Sequence, residues 1–120
     1  MLKELRDVRQ INGESYRRCF SDPTMDLTVW TDAGGGITGF ELCYDKGNTE
    51  RAVRWTKSGG FDHKRVDDGE QSLWENMTPI LVPDGVFRAK KISRLFQENS
   101  RDIDRTLAEF VYRKLLEYPD

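Results

Sequence analysis

The stretch MDLTVWT, residues 25–31, decides the fold because apolar and polar side chains alternate along its whole length. A period of two residues is typical of a strand with one buried face. The stretches GFELCYD, residues 39–45, and RAVRWTK, residues 51–57, continue the pattern. Together the three stretches predict an antiparallel meander of three strands.

The need to bury one face fixes the register, since a slip of one residue would turn every side chain to the other face. We predict that Val29 lies opposite Phe40 and that Phe40 lies opposite Trp55. These pairings place Gly34–Gly35 and Gly47–Asn48 at the tips of two-residue turns, where glycine supplies positive φ. Two acidic residues would face each other beside the second tip, which leaves a longer loop open there.

Two amphipathic helices close the chain. Apolar residues recur at helical spacing over residues 86–97 and again over 103–118. Ser100 or Asp102 is the predicted N-cap of the second helix, and Pro119 ends it. Both apolar stripes need a surface to cover, and the apolar face of the meander offers one.

The remaining segments extend this architecture. Residues 1–12 carry apolar side chains at helical spacing and predict a short helix, and residues 14–20 predict a strand beside the first strand of the meander. Residues 61–66 are densely charged, which favours an edge strand. Residues 78–83 have prolines near both ends, which favours a short edge segment or an extended crossover.

Length and composition favour one soluble domain over residues 1–120, of the α+β class. We expect an antiparallel sheet of four to six strands with two C-terminal helices on one face. The 33% of charged residues nearly balance, and the net charge of −2 argues against a general affinity for nucleic acid or anionic membranes. With two cysteines and no hydrophobic leader, a cytoplasmic location is expected, with no membrane partner.

The polar face of the meander is the first candidate site. It carries Arg17, Trp30, Glu41 and Arg54, and the register puts Glu41 opposite Arg54. One interpretation is a solvated face held by ion pairs across the strands. The other is an interaction surface, because Trp and Arg are enriched where partners bind.

A charged segment provides the second candidate, formed by His63, Arg65, Asp67, Asp68 and Glu70. A histidine beside carboxylates can act as a general base or a metal ligand. A single histidine with scattered acids matches no metal-ligand spacing, so we predict no metal and no cofactor. A charged turn is the simpler interpretation. If the aromatic residue two positions earlier points inward, the histidine does too and hydrogen-bonds at the edge of the core.

The first C-terminal helix carries a basic cluster of Arg88, Lys90, Lys91 and Arg94. Such a cluster can bind nucleic acid, but it also fits a solvated helix face. Since the chain as a whole is acidic, nucleic acid is not the expected partner.

Four short stretches are familiar in combination: RRCFSD at 17–22, FELCYDKG at 40–47, HKRVDDGE at 63–70 and MTPIL at 77–81. They resemble a family of small, uncharacterised bacterial proteins with no known activity. In that family we expect a tryptophan where Cys19 stands here. The resemblance implies a bacterial cytosolic protein and contributes no chemistry.

Three functional hypotheses follow from these features. The first is a non-enzymatic binding module for a protein or small ligand, or for a second copy of the chain as a homodimer, using the polar sheet face and the adjacent segment 63–70. The second is a small enzyme in which His63 is the general acid or base beside the nearby carboxylates. The third is a weak nucleic-acid binder that uses the basic helix.

Overall fold

A computed structural model describes residues 1–47, 50–67, 80–83 and 87–119. The strands of these ranges form one antiparallel sheet in which neighbours along the chain are neighbours in space. In chain order the elements are β1 (Lys3–Glu4), β2 (Tyr16–Ser21), β3 (Met25–Thr31), β4 (Ile37–Tyr44), β5 (Arg51–Thr56), β6 (Gly60–Asp67), β7 (Ile80–Pro83), α1 (Ala89–Asn99) and α2 (Arg105–Leu116).

The central register is the predicted one. Val29 pairs with Phe40 across β3 and β4, and Phe40 pairs with Trp55 across β4 and β5. The alternation of apolar side chains fixed this pairing, because only one register buries all of them on one face. The prediction of an α+β domain with an antiparallel sheet and two C-terminal helices on one face is confirmed. The two-residue strand β1 brings the sheet to seven strands in the described ranges, one more than expected.

The helices cover the face that carries the apolar residues of the meander. We call this the covered face, and the opposite side of the sheet the open face. The main hydrophobic cluster of the described residues lies between the covered face and the helices. Its largest fully buried side chains include Phe20, Met25, Leu27, Val29, Phe40, Leu42, Val53, Phe96, Val111 and Leu115.

The first hairpin has a wider turn than predicted. The register shifts after Trp30, and the turn closes where the N–H of Asp32 donates to the carbonyl of Gly36. The carboxylate of Asp32 accepts hydrogen bonds from the N–H groups of Gly34 at 3.0 Å and Gly36 at 2.9 Å. Gly35 takes the positive φ of 85°. The two-residue tip was therefore wrong, because an Asp side chain organises its own turn.

The second hairpin ends its ladder where Tyr44 pairs with Arg51. Asp45 follows with a positive φ of 62°, and its carboxylate lies 3.7 Å from the guanidinium of Arg51. This arrangement agrees with the longer loop that the sequence left open. Residues 48 and 49, which include half of the predicted tip, lie outside the described residues.

The N-terminal segment is not the predicted helix. Lys3 and Glu4 pair with the end of β2, and the neighbouring Leu2 is fully buried in the core. The N–H of Leu5 continues the contact by donating to the carbonyl of Cys19 at 2.8 Å. The apolar spacing suited a helix, but pairing with the edge of the sheet prevailed over that local pattern.

Beyond β1, a side chain occupies the edge of β2. The amide Nε2 of Gln10 donates to the carbonyl of Arg17 at 3.0 Å. The N–H of Arg17 donates in turn to Oε1 of Gln10 at 2.9 Å. The two bonds reproduce the pattern that a neighbouring strand would make at this residue.

At the other end of the sheet, the predicted edge is displaced by one strand. β6 pairs with β5 on one side and with β7 on the other, so the prediction that residues 61–66 form an edge strand was wrong. β7 takes the edge position instead, which confirms the alternative that residues 78–83 include a short edge segment.

The helices start later than predicted. α1 begins at Ala89, and the N-cap of α2 is Asp104, whose carboxylate accepts from the N–H of Leu107 at 3.3 Å. The two predicted caps were wrong. Ser100 is buried and donates its hydroxyl to the carbonyl of Gln97, so it belongs to the end of α1.

Arg18 ties the first strands to α2. Its guanidinium contacts both carboxylate oxygens of Glu4, at 2.8 and 2.7 Å, and one oxygen of Asp104 at 3.3 Å. The hydrogen bond from Arg18 lowers the pKa of Glu4. The pKa of Asp104 is also lowered, by the backbone N–H of Leu107 and by Arg18.

Candidate binding face

The open face is built from directly opposed residues on neighbouring strands. One row of five residues runs across strands β2 to β6, and each residue lies directly opposite the next one on the neighbouring strand. A parallel row places Arg17 opposite Trp30 and Trp30 opposite Gly39. The first row consists of Cys19, Thr28, Glu41, Arg54 and Asp62.

Arg54 joins the two rows at the centre of the face. Its guanidinium lies 5.8 Å from the ring centroid of Trp30, within the range of a cation–π contact. Its Nε donates to Oε2 of Glu41 at 2.8 Å, and Nη2 donates to the same oxygen. The predicted pairing of Glu41 with Arg54 is confirmed. These contacts hold a half-buried indole and a guanidinium in fixed positions on a surface that no described helix covers.

Two further ion pairs of the described residues lie on the open face. Lys46 lies 3.0 Å from Asp26, and Lys64 lies 3.0 Å from Asp62. The fourth predicted residue, Arg17, donates through Nε to the carbonyl of Arg9 at 2.8 Å. Because opposite charges are adjacent, the face has no strong electrostatic preference, and its contact chemistry is concentrated at Trp30.

A shallow groove of about 550 Å³ runs beside Trp30. Its floor is the backbone of Gly39, which lies between Trp30 on β3 and Thr56 on β5. A Cβ atom at Gly39 would lie 2.9 Å from the carbonyl oxygen of Trp55, so only glycine fits the sheet at this position. Gly39 is itself buried, and Trp30 and Thr38 are half-buried beside it in the lining of the groove.

His63 lies on the covered face, away from the predicted open-face site. It is a residue of strand β6, opposite Val53, and it is buried. Its Nε2 and the hydroxyl of Tyr44 are 2.6 Å apart, and the two rings stack with centroids at 6.0 Å. Phe87 and Tyr118 contact the same imidazole. The prediction that the open face and His63 form one site was therefore wrong, because the sheet separates the two.

The predicted neighbours of His63 lie partly outside the described residues. Arg65 is exposed on β6, and Asp67 ends that strand. Asp68 and Glu70 lie outside the described residues. Among the residues that the structure describes, no group of three or more His, Cys, Asp and Glu side chains could hold a metal ion. The acid–base role of His63 stays a prediction.

Both cysteines are free and lie on the open face. Cys19 is on β2 and Cys43 is on β4, with β3 between them. Two strand spacings alone place them at least about 9–10 Å apart, beyond the roughly 7 Å limit for a disulfide. Burial raises the pKa of the Cys43 thiol, and the adjacent carboxylate of Glu41 raises it further.

Three of the four predicted basic residues, Arg88 at the N-cap of α1 and Lys90 and Lys91 in its first turn, line a cavity of about 430 Å³ together with Leu116 and Tyr118. Arg88 and Lys91 also line a second cavity, between α1 and the sheet, whereas Lys90 and Arg94 are exposed and do not line it. Sequence analysis missed this second cavity, because it depends on the gap between a helix and a distant strand end. The basic residues were the only signal that the sequence offered.

Comparisons with known proteins add no relative. No protein-family model, curated protein or solved structure matches the chain. The resemblance to a bacterial family therefore stays a prediction. Within the described ranges, no helix combines the length and apolar character needed to cross a membrane.

Proposed function

We propose that the protein is a non-enzymatic binding module whose open sheet face receives a protein partner. The observation that carries the proposal is the placement of Trp30 and Arg54 in contact with each other on a sheet face that no described helix covers. Aromatic and guanidinium side chains of this kind dominate the binding energy of many interfaces.

The groove beside Trp30 supports this function. A Trp side chain held by Arg54 loses little conformational freedom when a partner packs against it, and a preorganised contact costs less on binding. Trp30 is half-buried in the lining of the groove, so part of its indole stays available to a partner side chain. The balance of charges on the face favours recognition by shape over steering by net charge.

Two further parts of the proposal concern where the module works. We propose a bacterial cytosolic protein, in line with the resemblance of its sequence. The positions of Cys19 and Cys43 support a reducing compartment, because the two free thiols are too far apart to bridge within one chain.

A site-directed photocrosslinking experiment tests the proposal. Benzoylphenylalanine is placed at position 28 on the open face, or at position 16, where Tyr16 is 58% exposed and points to the other side of the sheet. We expect a discrete adduct from position 28 in cells and none from position 16. An adduct with the mass of two chains identifies the partner as a second copy. Equal adducts from both positions, or none from position 28, would overturn the proposal.

Substitutions at the centre of the face sharpen this test. Trp30→Ala and Arg54→Ala are each combined with the probe at position 28 and should remove the adduct. Arg113→Ala, at an exposed arginine of α2, is the matched control and should leave the adduct unchanged. Circular dichroism checks that each variant keeps the fold. Retention of the adduct in both folded open-face variants would count against the proposed surface.

A further inference from the structure

A cavity of about 780 Å³ lies between α1 and the covered face, where β3 begins and β4 ends. Its volume falls within the range of about 300–1,000 Å³ that is usual for small-molecule sites. It is separate from the open face, because its strand residues Met25 and Tyr44 point to the other side of the sheet.

The inner part of the cavity is apolar. Met25 and Tyr44 lie opposite each other on β3 and β4 and are 2% and 7% exposed. Ile92 of α1 is 4% exposed, and Leu95, almost one turn further along the helix, is 37% exposed. An exposed leucine beside buried apolar side chains leaves an apolar surface that an apolar ligand group could cover.

The rim of the cavity is positive. Arg88 at the N-cap of α1, Lys91 of α1 and Arg51 of β5 line it, and Asp45 is the one carboxylate among the described lining residues. That carboxylate lies 3.7 Å from Arg51. Arg88 and Lys91 have no ion-pair partner within the described part of the chain. Two uncompensated cations therefore stand above an apolar floor.

We propose that this cavity binds a small organic anion with an apolar body. The anionic group would lie between Arg88 and Lys91, and the apolar body would cover Ile92 and Leu95. Carboxylates and phosphates both accept the paired donors of an arginine, so either can supply the charge. The site lies apart from the proposed protein-binding face and does not depend on it.

The position of the four basic residues on α1 separates this proposal from nucleic-acid binding. A phosphate backbone would engage all the exposed cations of a helix and would depend strongly on salt. A cavity ligand engages only the residues that line the cavity. The pairs Arg88 with Lys91, and Lys90 with Arg94, therefore form a matched comparison within one helix.

Titration of the ¹⁵N-labelled protein, followed by amide chemical shifts, tests the proposal. Octanoate and phenyl phosphate are the two anionic probes, with 1-octanol and inorganic phosphate as the uncharged and the non-apolar controls. We expect saturable shifts at Ile92 and Leu95 with octanoate or phenyl phosphate, and much weaker shifts with either control. The stronger of the two anions identifies the acidic group.

Paired variants then identify the residues responsible. Arg88→Gln with Lys91→Gln should weaken binding of the better probe about tenfold or more, whereas Lys90→Gln with Arg94→Gln should change it less than about twofold. All four residues are exposed, so both double variants should fold. Equal weakening by both pairs, equal binding of octanol and octanoate, or no saturable shift with either anion would each overturn the proposal.

Discussion

The covered face and the open face are built from alternate residues of the same strands, yet they are organised by different interactions. On the covered face, Val29 and Phe40 are fully buried, and shape decides which neighbours they accept. On the open face, Thr28 and Glu41 stand one position away and are only half-buried, and neighbouring charges form pairs. The comparison teaches that one side of this sheet determines stability, while the other side can vary without loss of the fold.

Shortening one side chain on each face tests this comparison most directly. Phe40 is fully buried and stacks on Trp55 with ring centroids 6.1 Å apart. Phe40→Ala should lower the free energy of unfolding by about 3–5 kcal/mol, because it leaves a cavity in the core. Thr28→Ala on the open face should lower it by less than about 1 kcal/mol. Urea denaturation of both variants measures the difference, and similar losses would refute the division of roles.

Gly39 tests whether the open face is as tolerant as this comparison implies. Gly39→Ala should cost about 1–3 kcal/mol, because its Cβ would lie 2.9 Å from a backbone oxygen of β5 and the strands would have to shift. Gly34→Ala in the turn is the control. Its Cβ would meet nothing closer than 3.5 Å, so we expect a change within about 0.5 kcal/mol. Equal denaturation midpoints for the two variants would contradict the tight fit at Gly39.

Acidic pH should weaken the ion pairs that Arg18 makes with Glu4 and Asp104 at the edge of the covered face. The lowered pKa values of Glu4 and Asp104 mean that their contribution is present above their ordinary pKa values, near about pH 4, and is lost as pH falls through the lowered values. Arg18→Met removes the partner of both carboxylates. Since these groups stay partly exposed, we expect a loss of only about 0.2–1 kcal/mol at neutral pH.

The pH dependence of that loss distinguishes the ion pairs of Arg18 from its packing contacts. Thermal melts of wild type and Arg18→Met should differ at neutral pH and should converge at strongly acidic pH, where both carboxylates are protonated. Glu4→Gln should remove only part of the difference, because Asp104 keeps its contact with Arg18. A gap that is independent of pH would assign the effect of Arg18 to its packing on Phe20.

The smallest expected effect concerns a thiol of the open face. The pKa of Cys43 is raised first by burial and then by the adjacent Glu41 carboxylate, so little of this thiol is ionised at mildly alkaline pH. Glu41→Gln should lower that pKa and increase the rate of alkylation by iodoacetamide about threefold. Mass spectrometry follows Cys43, with Cys19 as the internal reference. An unchanged rate would mean that burial alone controls this thiol.

The three central strands could be predicted in detail from the sequence, because alternation over residues 25–57 allows one register. The first turn could not, since Asp32 selected a wider loop through its own hydrogen bonds. The N-terminal helix failed for a similar reason. Leu2 fits either a helix or a strand pattern, and the exposed edge of β2, which no local pattern reveals, decided between them.

The candidate sites were only partly predictable. Alternation correctly grouped Trp30, Glu41 and Arg54 on one face, since strand phase is a local property. The inclusion of His63 in that face was wrong, whereas the alternative that its imidazole points inward and hydrogen-bonds at the edge of the core is confirmed, because β6 turns the ring toward Tyr44. The cavity under α1 was beyond sequence reasoning, because its two walls come from segments far apart in the chain.

Gln10 has a consequence for how this protein meets other chains. Its side-chain amide satisfies the N–H and the carbonyl of Arg17 as a strand would, yet it offers no further peptide group from which a ladder could grow. A sheet with an unsatisfied border can recruit extended segments and polymerise. Here an amide side chain occupies the border of β2 at Arg17, so a further strand cannot pair with β2 at that residue.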